Sequence, residues 1–92
     1  MKPIRCSNHA TLQMALRGAT EKEVITAIRL SKWECARMGK LKTKYRFDFN
    51  MASLINQKVY KFKTIEAIFT DESDEIVVIT VKVYYSNEEG KL

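Results

Sequence analysis

The sequence predicts an α+β fold in which two N-terminal helices pack on one face of an approximately four-stranded antiparallel sheet. Three observations carry that expectation. Apolar residues in the first third recur at helical spacing between capping residues, whereas after Ser31 the period drops to about 2 and the residue types turn aromatic and β-branched. A composition of 46% hydrophobic and 29% charged residues belongs to a folded chain. Ninety-two residues suffice for one core and not for two. The chain is therefore read as one domain over residues 1–92, with its core at about 7–85 and a loose tail at 86–92.

Ser7 or Asn8 can cap the first helix, which runs from about residue 8 to Arg17 and stops at Gly18. Thr20 followed by Glu23 is a capping-box pattern that opens a second helix through about Leu30, with Val24, Ala27 and Ile28 as its buried stripe. Trp33 and Cys35 mark a short first strand and Gly39-Lys40 a turn. Tyr45, Phe47 and Phe49 are the buried positions of a second strand, with Lys44, Arg46 and Asp48 facing the other way. Asn50 to Gln57 reads as a loop or helical turn. A third strand covers roughly Val59 to Thr70, where Tyr60 and Phe62 share one parity and Ile65, Ala67 and Phe69 the other, reconciled by a bulge near Lys63-Thr64. Asp71 to Glu75 is a hairpin connection, its carboxylates explained by solvation and turn chemistry, and Glu75 to Tyr85 forms the fourth strand.

Charge is unevenly spread. The formal net is +5, yet Arg29 to Lys63 holds ten Lys or Arg against Glu34 and Asp48, a local net of +8 that leaves −3 for the remainder. Such a region favours polyanion partners through counterion release and steering, against the plain alternative of a solvated surface. If both helices cover one sheet face, Lys42, Lys44, Arg46, Lys61 and Lys82 project from the other with Tyr84 beside them. Bases can stack on the tyrosine while phosphates pair with the cations, a combination suited to single-stranded RNA.

His9, Gln13 and Arg17 stand at i, i+4 and i+8, nearly in line along the first helix. Histidine exchanges a proton near neutral pH and arginine can hold a phosphate through two hydrogen bonds, so this line could support phosphodiester cleavage. The chain contains no phosphate-loop, dinucleotide, nucleophile-elbow or HExxH motif. Cys6 and Cys35 are 29 positions apart with one histidine in the chain, which favours free, partly buried thiols over a disulfide or a metal site. No cofactor or metal is expected. The absence of a long apolar run makes a membrane partner unexpected and a cytoplasmic location the default.

The run Ser7-Asn8-His9-Ala10, with Met14, Arg17-Gly18-Ala19-Thr20, Glu23-Val24 and Ala27-Ile28, precedes a sheet ending in Val78-Ile79-Thr80-Val81. Together these residues resemble the bacterial domain-of-unknown-function family 4258, over about residues 7 to 85. That family looks like a relative of the RelE/ParE toxin superfamily, whose members include ribosome-dependent and free messenger-RNA endonucleases, gyrase inhibitors and inactive relatives neutralised by antitoxins. The resemblance implies a RelE/ParE-like fold, RNA or the ribosome as target and an antitoxin protein as partner. It carries over to His9, Arg17 and Thr80. Where the family usually has an arginine before the methionine, this chain has Gln13, which removes a fixed positive charge from the helix line.

The expectation is thus a toxin-like RNA-binding domain, with metal-independent endoribonuclease activity as its catalytic form. His9 and Arg17 are the candidate catalytic residues, and Gln13, Lys42, Lys44, Arg46, Lys61, Thr80, Lys82 and Tyr84 the candidate RNA-binding residues. The alternatives are a non-catalytic interaction module, a degenerate toxin relative or a homo-oligomer, acting through protein contacts, and a gyrase- or DNA-directed binder.

Overall fold

Both helices begin where capping side chains stand. In the computed structural model, which describes residues 2–88, the Ser7 side chain accepts from the Ala10 amide and opens α1 (Asn8–Arg17). Gly18 closes that helix at a φ of 85°, in the left-handed region where a side chain is strained. A Cβ there would also lie 2.7 Å from the Tyr85 hydroxyl, so conformation and space both call for glycine. Helix α2 (Glu21–Leu30) carries the full reciprocal box: the Glu23 amide donates to Thr20 Oγ1 at 3.1 Å and the Thr20 amide to Glu23 Oε1 at 2.9 Å.

The strands are β1 (Ile4–Cys6), β2 (Glu34–Cys35), β3 (Leu41–Ala52), β4 (Val59–Asp71) and β5 (Ile76–Ser86), in spatial order β1-β5-β4-β3-β2. β2 to β5 pair antiparallel, as expected, but β1 pairs parallel with β5, Ile4 opposite Ile76 and Cys6 opposite Val78. The sheet is therefore five-stranded and mixed, which corrects the four-stranded antiparallel expectation and moves the start of the core from residue 7 to Ile4. Three residues are too few to show a period of 2, and the partner lies some seventy positions away in sequence. Charges hold the strand in place. Arg5 donates from Nε and Nη2 to the two Glu75 carboxylate oxygens at 3.1 and 3.2 Å, while Lys2 pairs with Asp71 and donates to the Glu72 carbonyl at 2.6 Å. The acidic hairpin read as turn chemistry is thus also the clamp on β1.

Two further corrections concern register. β4 passes through Lys63-Thr64 in unbroken pairing, and the irregularities fall instead between Asp48 and Met51, where Asn50 takes a φ of 52°, and between Ile68 and Phe69. β3 continues to Ala52, so the connecting turn begins only at Ser53, whose buried hydroxyl accepts from the Ile55 amide. Ser86 ends β5 and Asn87 Oδ1 accepts from the Lys61 amide at 2.8 Å, so the segment expected as a loose tail begins in the sheet. Residues 89–92 of that segment lie outside the described residues.

Both helices cover one sheet face, α1 over β5 and α2 over β3 and β4. Ala10 and Met14 from α1 and Val24, Ala27 and Ile28 from α2 meet Ile65, Ala67 and Phe69 of β4 and Val78 and Val81 of β5. Full burial of a side chain such as Ile65 or Phe69 contributes about 1.5–3 kcal/mol. Among the described residues the opposite face carries no helix, and the candidate site lies there.

Candidate nucleic-acid interface

Alternation along three paired strands fixes which side chains share the open face. Reading across β3, β4 and β5, the rows are Lys42–Ile68–Thr80, Lys44–Glu66–Lys82, Arg46–Thr64–Tyr84 and Asp48–Phe62–Ser86. Lys42, Lys44, Arg46, Thr80, Lys82 and Tyr84 are thus brought together as the sequence led one to expect. At their centre stands Glu66, a residue the sequence reading passed over.

Glu66 is 6% exposed although it faces away from the helices. The Tyr84 hydroxyl donates to its Oε1 at 3.1 Å, and Lys44 Nζ lies 3.9 Å from its Oε2. Lys44 also sits 5.5 Å above the Tyr84 ring centroid, and the Arg46 guanidinium 4.5 Å above that of Phe62. Burial of its hydroxyl end, followed by the nearby Glu66 charge, pushes the Tyr84 phenol above its ordinary range, so that it remains a proton donor. Lys32, Lys42, Lys44, Arg46, Glu34 and Glu66 line a shallow depression of about 670 Å³. A second hollow of about 400 Å³ adjoins it between Arg37, Lys42, Glu66 and Lys82. The arrangement can hold phosphate oxygens by charge-assisted hydrogen bonds, stack a base on the half-exposed Tyr84 and accept a hydrogen bond at Glu66.

The helix line is used differently. Gln13 Oε1 accepts from the Val81 amide at 2.8 Å and Arg17 Nη1 donates to the Val81 carbonyl at 2.7 Å. The two side chains serve the edge of β5 just beyond the point where β1 ends, a position at which unpaired backbone groups would otherwise face outward. Arg17 also lines a hollow of about 240 Å³ with Lys82 and Tyr84, so it borders the open face. His9 is exposed in the first turn of α1, eight residues and therefore about 12 Å along the helix from Arg17. Lys61 is exposed at the far end of β4, but it shares the parity of Lys63 and Ile65 and so does not project from the open face on which the sequence placed it.

Not every basic residue of the central region joins the face. Lys63 is buried on the helix side, donating to the Gly18 carbonyl at 2.9 Å and pairing with Glu23 at 2.8 Å. Cys6 is half-buried, its thiol pushed up by desolvation and then by Glu21, whereas Cys35, expected to be partly buried, is exposed; both are free. Among the described residues no three His, Cys, Asp or Glu are grouped so as to hold a metal ion, and no helix is long and apolar enough to cross a membrane. The signal that could have found Glu66 is its parity, opposite to that of Ile65 and Ala67 and shared with the polar residues of the flanking strands. No family model, curated protein or solved structure matches this chain.

Proposed function

We propose that the open sheet face binds single-stranded RNA, as a toxin-like RNA-binding domain. The observation that carries this reading is the convergence of Lys42, Lys44, Arg46 and Lys82 around two adjoining depressions beside Tyr84. Their cations are spaced along and across strands, as a phosphate backbone requires, and the tyrosine offers a stacking surface indifferent to base identity. The resemblance to RelE/ParE relatives supports the same class of target.

Metal-independent cleavage at this face is a second reading, favoured by Glu66. A metal-free ribonuclease needs a base for the ribose hydroxyl, an acid for the leaving oxygen and cations at the phosphorane. Glu66 supplies a carboxylate, Tyr84 an O–H donor and Lys44 and Arg46 the charge, all within two adjacent cross-strand rows. His9 lies in the first turn of α1, away from that cluster.

Labelled single-stranded RNA, titrated with protein in EDTA at several salt concentrations and then run on a gel, tests both readings. Binding should weaken with salt, and Lys44→Ala and Arg46→Ala should each lower the slope by roughly 0.7–1 per lost phosphate contact. Absence of binding at low salt would refute the interface. Glu66→Gln separates the readings: removing a negative charge among cations tightens binding in either case, and it abolishes product if the carboxylate takes the proton.

A further inference from the structure

The free edge of β3 borders the depression read as the RNA interface, which Thr43, Lys44, Tyr45 and Arg46 line in part. β2 pairs with Leu41 and Lys42 alone, so from Thr43 to the irregularity at Asn50 this strand has no neighbour on its outer side among the described residues. The Ala36 amide donates to the Lys40 carbonyl at 2.8 Å, which makes the even-numbered positions of β3 the ones that hydrogen-bond toward β2. The backbone groups of Lys44, Arg46 and Asp48 therefore point out of that edge. On the helix side, Tyr45, Phe47 and Phe49 are half-buried, where Ile65 and Ala67 of the adjacent strand are fully buried. The sequence placed these three aromatics at buried positions; a single chain leaves them partly uncovered because β3 ends the sheet beyond Lys42.

We infer that two copies of this chain pair through their β3 edges, antiparallel about a two-fold axis at Phe47. A symmetric pairing of one edge with itself must be antiparallel, and hydrogen bonding across it requires even positions opposite even positions. Within the window from Thr43 to Asn50, one register sets Arg46 opposite Asp48 twice, Lys44 opposite Asn50, Tyr45 opposite Phe49 and Phe47 opposite its own copy. The neighbouring registers oppose Arg46 to Arg46, with Lys44 opposite Asp48, or Asp48 to Asp48. Charged edge residues guard against indiscriminate strand addition, and here only one alignment is complementary without a like-charged pair across the axis. Unlike charges and aromatic pairs directly across strands favour that alignment, and like charges penalise the others. The window is closed on one side by β2 and on the other by the left-handed Asn50, so the contact stops at one strand pair. Joining two five-stranded sheets in this way lays their basic faces side by side, with the Lys44 and Arg46 rows flanking the axis. The pairing does not depend on RNA binding.

Sedimentation of the full chain over a range of concentrations tests it. The expected result is a monomer–dimer equilibrium in which Asp48→Arg or Arg46→Asp alone weakens association by roughly tenfold or more, while the double reversal restores it. Asp48 is exposed, so Asp48→Arg is read in a folded chain, checked by circular dichroism. A monomer at all concentrations overturns the inference, as does a dimer indifferent to the single reversals or one that the double reversal does not restore.

Discussion

Lys63 and Lys44 each reach a glutamate from opposite faces of the same sheet, and the two pairs serve different ends. Lys63 Nζ lies 2.8 Å from Glu23, 2.9 Å from the Gly18 carbonyl and 4.9 Å from the Phe49 ring centroid, with its side chain 7% exposed. Lys44 stands 3.9 Å from Glu66 with 42% of its side chain in water, over a carboxylate that is 8% exposed. The first cation is saturated by partners and ties the α1–α2 turn to β4. The second can turn toward a phosphate without leaving its strand, while Glu66 stays held by Tyr84. A count of positive charge along the chain treats these lysines alike; their burial separates a structural lock from a binding surface.

Truncating each lysine should expose that contrast, and it is the largest effect expected. Lys63→Ala leaves the Glu23 carboxylate and the Gly18 carbonyl without their cation in a largely dry place, a loss of about 2–4 kcal/mol. Lys44→Ala should change stability by no more than about 0.5 kcal/mol, because an exposed cation at the limit of pairing distance contributes little. Urea denaturation of the two variants measures the difference. Equal losses would mean that the open-face pair is as structural as the buried one.

Smaller losses are expected at the helix strap. Gln13→Ala leaves the Val81 amide without its acceptor, and Arg17→Ala leaves the Val81 carbonyl without its donor, each costing about 1–2 kcal/mol. Both act on one residue, so the double variant should deviate from the sum of the two. Any effect of Arg17→Ala on RNA has to be read against this structural cost, because Arg17 serves the β5 edge and borders Tyr84 at once.

What the sequence made legible follows the range of the interactions. The two helices appear where expected because their signals are local: Ser7, Gly18 and the Thr20–Glu23 box each act within four residues. Alternation carried the open face, since Lys42, Lys44 and Arg46 inherit their orientation from their own strand. β1 was hidden because Ile4-Arg5-Cys6 acquires strand character only from Ile76–Val78. Gln13 and Arg17 looked like a functional line because helical spacing shows which side chains align and not what they meet. Glu66 was missed for the same reason: its neighbours in sequence are core residues, and its polar partners Lys44 and Tyr84 arrive from other strands.

The smallest expected effect lies at the β1 clamp, where the same contrast between local and distant partners can be titrated. The hydrogen bond from Arg5 holds the Glu75 carboxyl below its usual range. Folded protein therefore binds that proton less readily than the unfolded chain does. The contribution of the pair is complete above the ordinary glutamate value of about 4.3 and is lost as pH falls through the depressed folded value. Hydrogen exchange, corrected for intrinsic rates, should show it at the amides that tie β1 to β5, namely Ser7 bonded to the Val78 carbonyl and Ile76 bonded to the Pro3 carbonyl. Their protection should fall in acid before that of Ile65 and Ala67, and Glu75→Gln should remove the difference between pH 6 and pH 3. If β1 keeps its protection in acid, backbone pairing with β5 holds the strand and the ion pair only decorates it. If protection is lost at the same pH throughout the sheet, β1 belongs to the core's cooperative unit, and the most distant pairing in the sequence is as secure as the most local.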